Sequence, residues 1–132
     1  MSCDYAVWFP HKRLSDKEAG ELYGALCDSD MSGVQAHPAI AAFLAELTSK
    51  HPQIDDVAEE EIDNHDLCPW SVAFDQSPAH LIMCCVWSKA DYVGQLLRDL
   101  ALKHGLALYD PQSERITYPG EVPRTRSWWK PW

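Results

Sequence analysis

Blocks of apolar and polar residues along the chain predict elements in the order β-α-α-β-β-α-β. The segment Asp4 to Phe9 is continuously apolar after its first residue, which is typical of a strand covered on both faces. The segment His80 to Trp87 has the same pattern and is the clearest strand prediction in the chain. Shorter strands are predicted at 71–74 and 106–109, with an optional strand at 115–118.

Apolar stripes with helical spacing predict helices over about residues 15–27, 38–51 and 88–104. Ser15 and Glu18 have capping-box spacing at the start of the first helix. Ser88 and Asp91 repeat that spacing before the third helix, with Asp in place of the usual Glu. Gly105 fits the end of the third helix, because glycine readily adopts the left-handed conformation that ends many helices.

This order predicts an α+β fold for a single domain spanning residues 1–132. With the second helix treated as an insertion, it matches the ferredoxin-like βαββαβ pattern, an antiparallel sheet with helices on one face. The first and third strands are central in that pattern, and they are the two that are apolar on both faces. The other face needs its own cover, which Trp8 or Trp87 together with the Trp-rich C-terminal tail at about 119–132 would provide.

The net charge of −9 is concentrated in the middle of the chain. Residues 51–88 contain eight Asp and Glu and no Lys or Arg. Most of these carboxylates lie in a predicted exposed acidic loop at about 55–68, and they are Asp55, Asp56, Glu59, Glu60, Glu61, Asp63 and Asp66. Such a surface argues against binding nucleic acid or an anionic membrane, since both need clustered cations. It favours a basic protein partner, and the alternative is a solvated loop that only keeps the protein soluble.

The sequence contains no motif for catalysis, a cofactor or a metal. The acidic loop lacks EF-hand spacing, and His65 with Cys68 lacks the second ligand pair that a zinc site needs. We therefore assign no catalytic residue, no cofactor and no metal ligand, and we leave the question of an enzyme open while favouring a non-enzyme. The five cysteines have no framework spacing, the start of the chain has no secretory pattern, and the longest apolar run is too short for a membrane span. These features predict a cytoplasmic protein with reduced thiols.

Several short runs resemble a family of small, acidic, largely uncharacterised bacterial proteins. They are DYAVW at 4–8, Pro38 and Ile40 at a helix start, PWS at 69–71, VWSKA at 86–90 and HGLALYDPQ at 104–112. The resemblance covers most of residues 4–112, and its motifs mark strand ends, caps and turns. Proteins of this size, charge and bacterial character are similar to immunity proteins, which neutralise toxins delivered between competing cells.

The leading hypothesis is an immunity-type inhibitor that occludes a basic bacterial toxin domain such as a nuclease. The acidic loop would steer and pair with the toxin's cations, while Trp70 would anchor the contact. The alternative is a small-molecule-binding or catalytic ferredoxin-like domain, with a pocket between the sheet and the C-terminal tail lined by His80, Cys85 and Tyr109. A third reading is a homodimer formed through an exposed strand edge or the tail.

Overall fold

A computed structural model describes residues 2–119 of the chain. All of the predicted C-terminal tail except Pro119 lies outside the described residues. The five strands are β1 (Ser2–Trp8), β2 (Asp75–Ser77), β3 (His80–Val86), β4 (Ala107–Asp110) and β5 (Arg115–Thr117). The three α-helices are α1 (Asp16–Cys27), α2 (Pro38–Lys50) and α3 (Ala90–His104).

The strands form one sheet in the order β2-β3-β1-β4-β5, and all neighbouring strands are antiparallel. β1 lies at the centre and pairs with β3 along its whole length, from Ser2 opposite Val86 to Trp8 opposite His80. The prediction of an α+β fold built on an antiparallel sheet is confirmed. The more specific match to the ferredoxin-like pattern is not confirmed and stays a prediction. The sheet has a fifth strand, β5, which the βαββαβ pattern does not include.

Helices cover both faces of the sheet. Tyr5 and Val7 of β1 point into a core formed with α2 and α3, whereas Ala6 and Trp8 point into a second core that includes Ala19 of α1. The prediction of helices on one face only is therefore wrong. On that second face, Trp8 packs with apolar residues of α1, so the expectation for Trp8 agrees with the structure. Trp87 is exposed instead, and the tail after Pro119 lies outside the described residues. Successive residues of a strand point to opposite faces, so both apolar sets of β1 are buried under helices.

The capping box predicted for α1 is present: the Ser15 hydroxyl accepts from the Glu18 amide at 3.1 Å, and the Glu18 carboxylate accepts from the Ser15 amide at 2.9 Å. The same prediction for Ser88 and Asp91 is wrong. A single 3-10 turn at Trp87–Lys89 leads into α3, and the residue before the helix makes no side-chain cap. At its other end, α3 stops at Gly105, whose φ of 71° is the left-handed conformation expected there.

The strand predicted at 71–74 lies later in the chain, at Asp75–Ser77. Residues 69–71 still touch β3, since the Ser71 amide donates to the Cys84 carbonyl at 2.9 Å and the Val86 amide donates to the Pro69 carbonyl at 2.8 Å. Residues 72–74, between these contacts and β2, lie outside the sheet. β2 is polar because it forms an edge of the sheet and is largely exposed, so its sequence lacks the apolar signal of a strand.

Candidate functional site

The acidic segment forms a closed, ordered loop. His51 follows the last residue of α2, and its Nδ1 donates to the Leu67 carbonyl at 2.8 Å, which joins the two ends of the loop. Between them lie two 3-10 turns, Ile54–Asp56 and Glu59–Glu61. Ile54 and Val57 pack against the main core, so the first part of the loop has apolar contacts with the rest of the protein. The closed segment, residues 51–67, contains all seven carboxylates of the acidic loop predicted at about 55–68, and its joined ends resemble those of an Ω-loop.

The carboxylates of this loop point to solvent. Of the seven named above, only Glu61 is partly buried, and it accepts from the side-chain amide of Asn64 at 3.1 Å. Within residues 2–119, Asp66 alone of the seven forms a salt bridge, and its partner is Lys89. The hydrogen bond and charge of Lys89 lower the pKa of Asp66 below its usual value. The loop thus presents several carboxylates without a cation beside them in the described part of the protein.

Trp70 does not reach the surface, and the prediction that it anchors a partner is corrected. Its side chain is 1% exposed, and its indole Nε1 donates to the His51 carbonyl at 3.0 Å. The ring also packs edge-on against Phe74, with 4.8 Å between the ring centroids. Trp70 therefore supports the acidic loop from below, and a partner would not touch it.

Two other aromatic side chains are exposed near the acidic loop. Tyr92, in the first turn of α3, is 50% exposed, and its hydroxyl donates to Nε2 of His51 at 2.7 Å. Trp87 is 55% exposed and lies two residues before Lys89, the partner of Asp66. The sequence predicts Tyr92 within the third helix and Trp87 at the end of the strand that begins at His80. Their position in the chain could have indicated that these two side chains are exposed. Both lie where a strand is followed by a helix, and few neighbouring residues cover a side chain there.

The three residues of the alternative pocket do not lie together. Cys85 belongs to the core under α2 and α3, whereas Tyr109 belongs to the core under α1. His80 lies opposite Trp8 in the register of β1 and β3, and Trp8 stacks on Tyr109 with 6.3 Å between ring centroids. Trp8 therefore separates His80 from Tyr109, and all three proposed pocket residues are buried. Because Cys85 and Tyr109 lie on opposite faces of the sheet, the three residues do not form one pocket. The tail that was expected to form the other wall lies outside the described residues.

Burial shifts the pKa values of Cys85 and His80 in opposite directions. Burial, with smaller contributions from nearby thiols, raises the pKa of Cys85 to about 12, so its thiol stays protonated. Burial also lowers the pKa of His80 below its usual value. The His80 ring lies between the Ser77 hydroxyl, 2.7 Å from Nδ1, and Asp75, whose Oδ1 is 3.5 Å from Nε2. The Ser77 oxygen also accepts from the Ala79 amide at 3.0 Å, which is the arrangement of a tight hairpin turn.

Among residues 2–119, no cluster of His, Cys, Asp and Glu side chains has the arrangement of a metal site. No described helix is both long enough and apolar enough to cross a bilayer. In comparisons with family models, curated protein sequences and solved structures, none matches this chain. The resemblance to small acidic bacterial proteins accordingly stays a prediction.

Proposed function

We propose that this protein is a protein-binding domain that captures a basic partner on its acidic loop, as an immunity-type inhibitor of a bacterial toxin domain such as a nuclease. The observation that carries the proposal is the state of the loop carboxylates. They are exposed, and among the described residues only Asp66 is paired with a cation. They are also held on a loop that is closed by His51 and seated on the core by Ile54 and Val57.

An ordered loop suits this function better than a mobile one. A partner that binds a preformed loop does not have to order it, so less conformational entropy is lost on association. Clustered carboxylates attract a cationic surface over several ångströms and speed the encounter. A nuclease uses its cations to bind phosphate, and the loop would pair with those same cations and cover the nucleic-acid site.

The experiment first searches the neighbouring genes for a basic toxin domain, whose absence would count against the proposal. With that domain in hand, its nuclease activity and its association rate with this protein are the readouts. The test variant carries Glu59→Gln, Glu60→Gln, Glu61→Gln and Asp63→Asn. A matched control carries Glu21→Gln, Asp28→Asn, Asp99→Asn and Glu114→Gln, which remove the same charge from exposed positions elsewhere. We expect the wild-type protein to abolish the nuclease activity.

At low salt, the loop variant should associate at least about tenfold more slowly than the control variant, and the difference should shrink as salt screens the charges. Equal association rates for the two variants would contradict the proposed role of the loop. A toxin that stays fully active in the presence of the wild-type protein would overturn the proposed function itself.

A further inference from the structure

A cavity of about 260 Å³ opens between the first turn of α3 and the end of β4. Its lining includes Cys3, Tyr5, Trp87, Asp91, Asp110 and Gln112. Two of these side chains are carboxylates and one is an exposed indole, whereas none of the lining residues is Lys, Arg or His. We call it the Trp87 pocket. It combines negative charge with an aromatic face.

The polar wall of the pocket is fixed in place. Gln112 bonds the backbone of Asp4 in both directions: its Nε2 donates to the Asp4 carbonyl at 2.8 Å and its Oε1 accepts from the Asp4 amide at 2.7 Å. The backbone amide of Gln112 in turn donates to Oδ1 of Asp110 at 2.9 Å. The Asp110 carboxylate, on the last residue of β4, is therefore oriented by the chain around it.

The floor of the pocket is equally well held. Tyr5 is buried, and its hydroxyl donates to the carbonyl of Ala90 at 3.3 Å, which ties β1 to the start of α3. Burial raises the pKa of Cys3, and the charge of Asp110 raises it further. That contribution agrees with a negative potential inside the pocket, which would favour a cation.

The position of the pocket connects it to the acidic loop. Ser88 and Ala90 also line the cavity, and Lys89 between them forms the salt bridge with Asp66 of the loop. The pocket and the loop thus border one another on the same side of the protein. A partner lying on the loop would bring its neighbouring side chains to Trp87.

We propose that the Trp87 pocket binds an arginine side chain of the basic partner. This inference rests on the proposed function, since it names the group by which that partner is recognised. The guanidinium plane would stack on the Trp87 indole, and its N–H groups would donate to Asp91 and Asp110. Arginine fits better than lysine, because a planar guanidinium stacks on an aromatic face and can donate to two carboxylates at once.

The probes are two glycine-spaced peptides of equal length, one with four arginines and the other with four lysines. Binding is followed at low salt through the indole N–H signal of Trp87, which is identified by its loss in Trp87→Leu, and through the dissociation constants. We expect the wild-type protein to bind the arginine peptide about three- to tenfold more tightly than the lysine peptide. Trp87→Leu and Asp110→Asn should each remove this preference.

Leu102→Ala is the matched control, because Leu102 of α3 is as exposed as Trp87 but does not line the pocket. It should keep the preference for arginine. An equal affinity for both peptides in the wild-type protein, or a preference that survives Trp87→Leu, would overturn the inference.

The quadruple loop variant separates this inference from the proposed function. If the loop attracts basic partners, neutralising it should weaken the binding of both peptides to a similar extent. The ratio of their dissociation constants should stay unchanged. A loop variant that binds both peptides as well as the wild type does would count against the proposed function. The pocket would still stand if Trp87→Leu then removed the preference for arginine.

Discussion

The Tyr92 hydroxyl donates to Nε2 of His51 at 2.7 Å, although 41 residues separate them in the chain. The bond is possible because Nδ1 of the same ring donates to the Leu67 carbonyl, which leaves Nε2 as the acceptor in the neutral ring. One imidazole thus connects the end of α2, the end of the acidic loop and the first turn of α3. This contact orders the surface on which the proposed function depends.

Replacing His51 should loosen the acidic loop. His51→Ala leaves the Leu67 carbonyl without its donor and opens a space beneath Tyr92, so we expect a loss of about 2 to 3 kcal/mol in the free energy of unfolding. Tyr92→Phe removes only the hydroxyl and should cost about 1 kcal/mol. Urea unfolding measures both losses. Hydrogen exchange at the Cys68 amide, which bonds the Asn64 carbonyl within the loop, should accelerate more in His51→Ala than in Tyr92→Phe.

The same substitution should destabilise the protein at Trp70 and have little effect at Trp87. Trp70→Phe leaves the His51 carbonyl without its indole donor and removes buried ring atoms, so we expect a loss of about 2 kcal/mol in the free energy of unfolding. Trp87→Phe changes an exposed side chain and should stay within about 0.5 kcal/mol of the wild type. Denaturant melts of the two variants test this. Equal losses would mean that Trp70 does not support the loop.

Two glycines of α1 test whether that helix lies on the sheet. A Cβ at Gly20 would meet the Tyr109 hydroxyl at 2.9 Å, whereas a Cβ at Gly24 would meet nothing within 4 Å. Gly20→Ala should therefore destabilise the protein by about 1 kcal/mol or more, because the Tyr109 ring is packed between Trp8 and Tyr23. Gly24→Ala should stabilise it by about 0.5 to 1 kcal/mol through helix propensity. If both variants gained stability, the close approach of α1 to β4 would be refuted.

His80 should make folding sensitive to mild acid. Its pKa in the folded protein lies below the usual value of 6.5, chiefly because burial disfavours the charged ring. As the pH falls below about 6.5, the unfolded chain takes up a proton that the folded protein does not, so stability declines until the pH reaches the lowered pKa. The slope from this one group is at most about 1.4 kcal/mol per pH unit. Between pH 7.5 and 5, the free energy of unfolding should fall less steeply in His80→Gln than in the wild type. Equal slopes would show that His80 does not contribute to the pH dependence.

Much of the local structure could be predicted from the sequence. The capping box at Ser15 and the end of α3 at Gly105 depend on neighbouring residues, so their signals are short and specific. The central position of β1 followed from its continuous run of apolar residues. The side on which α1 packs could not be predicted, since both faces of β1 are apolar and either one accepts a helix.

The surface was harder to predict than the core, because the exposure of a side chain depends on which distant segments pack over it. Trp70 and Trp87 are the same residue type, each near a predicted strand, yet one lies under the acidic loop and the other lies in the open. The Trp87 pocket needs Asp110 as well, and it is β4 that brings this residue beside α3. No sequence window contains both groups, so only the fold reveals the pocket.

The closed ends of the acidic loop also bear on how such a protein diversifies. The contacts that hold the loop lie at its ends and in its first apolar residues: His51, Ile54, Val57 and Leu67. The carboxylates between Ala58 and Asp66 contribute little packing, so substitutions there change the charge pattern at almost no cost in folding. If the loop binds a basic partner as proposed, substitutions at these exposed positions would change which cationic surface it fits, while the contacts that fold the loop stay the same.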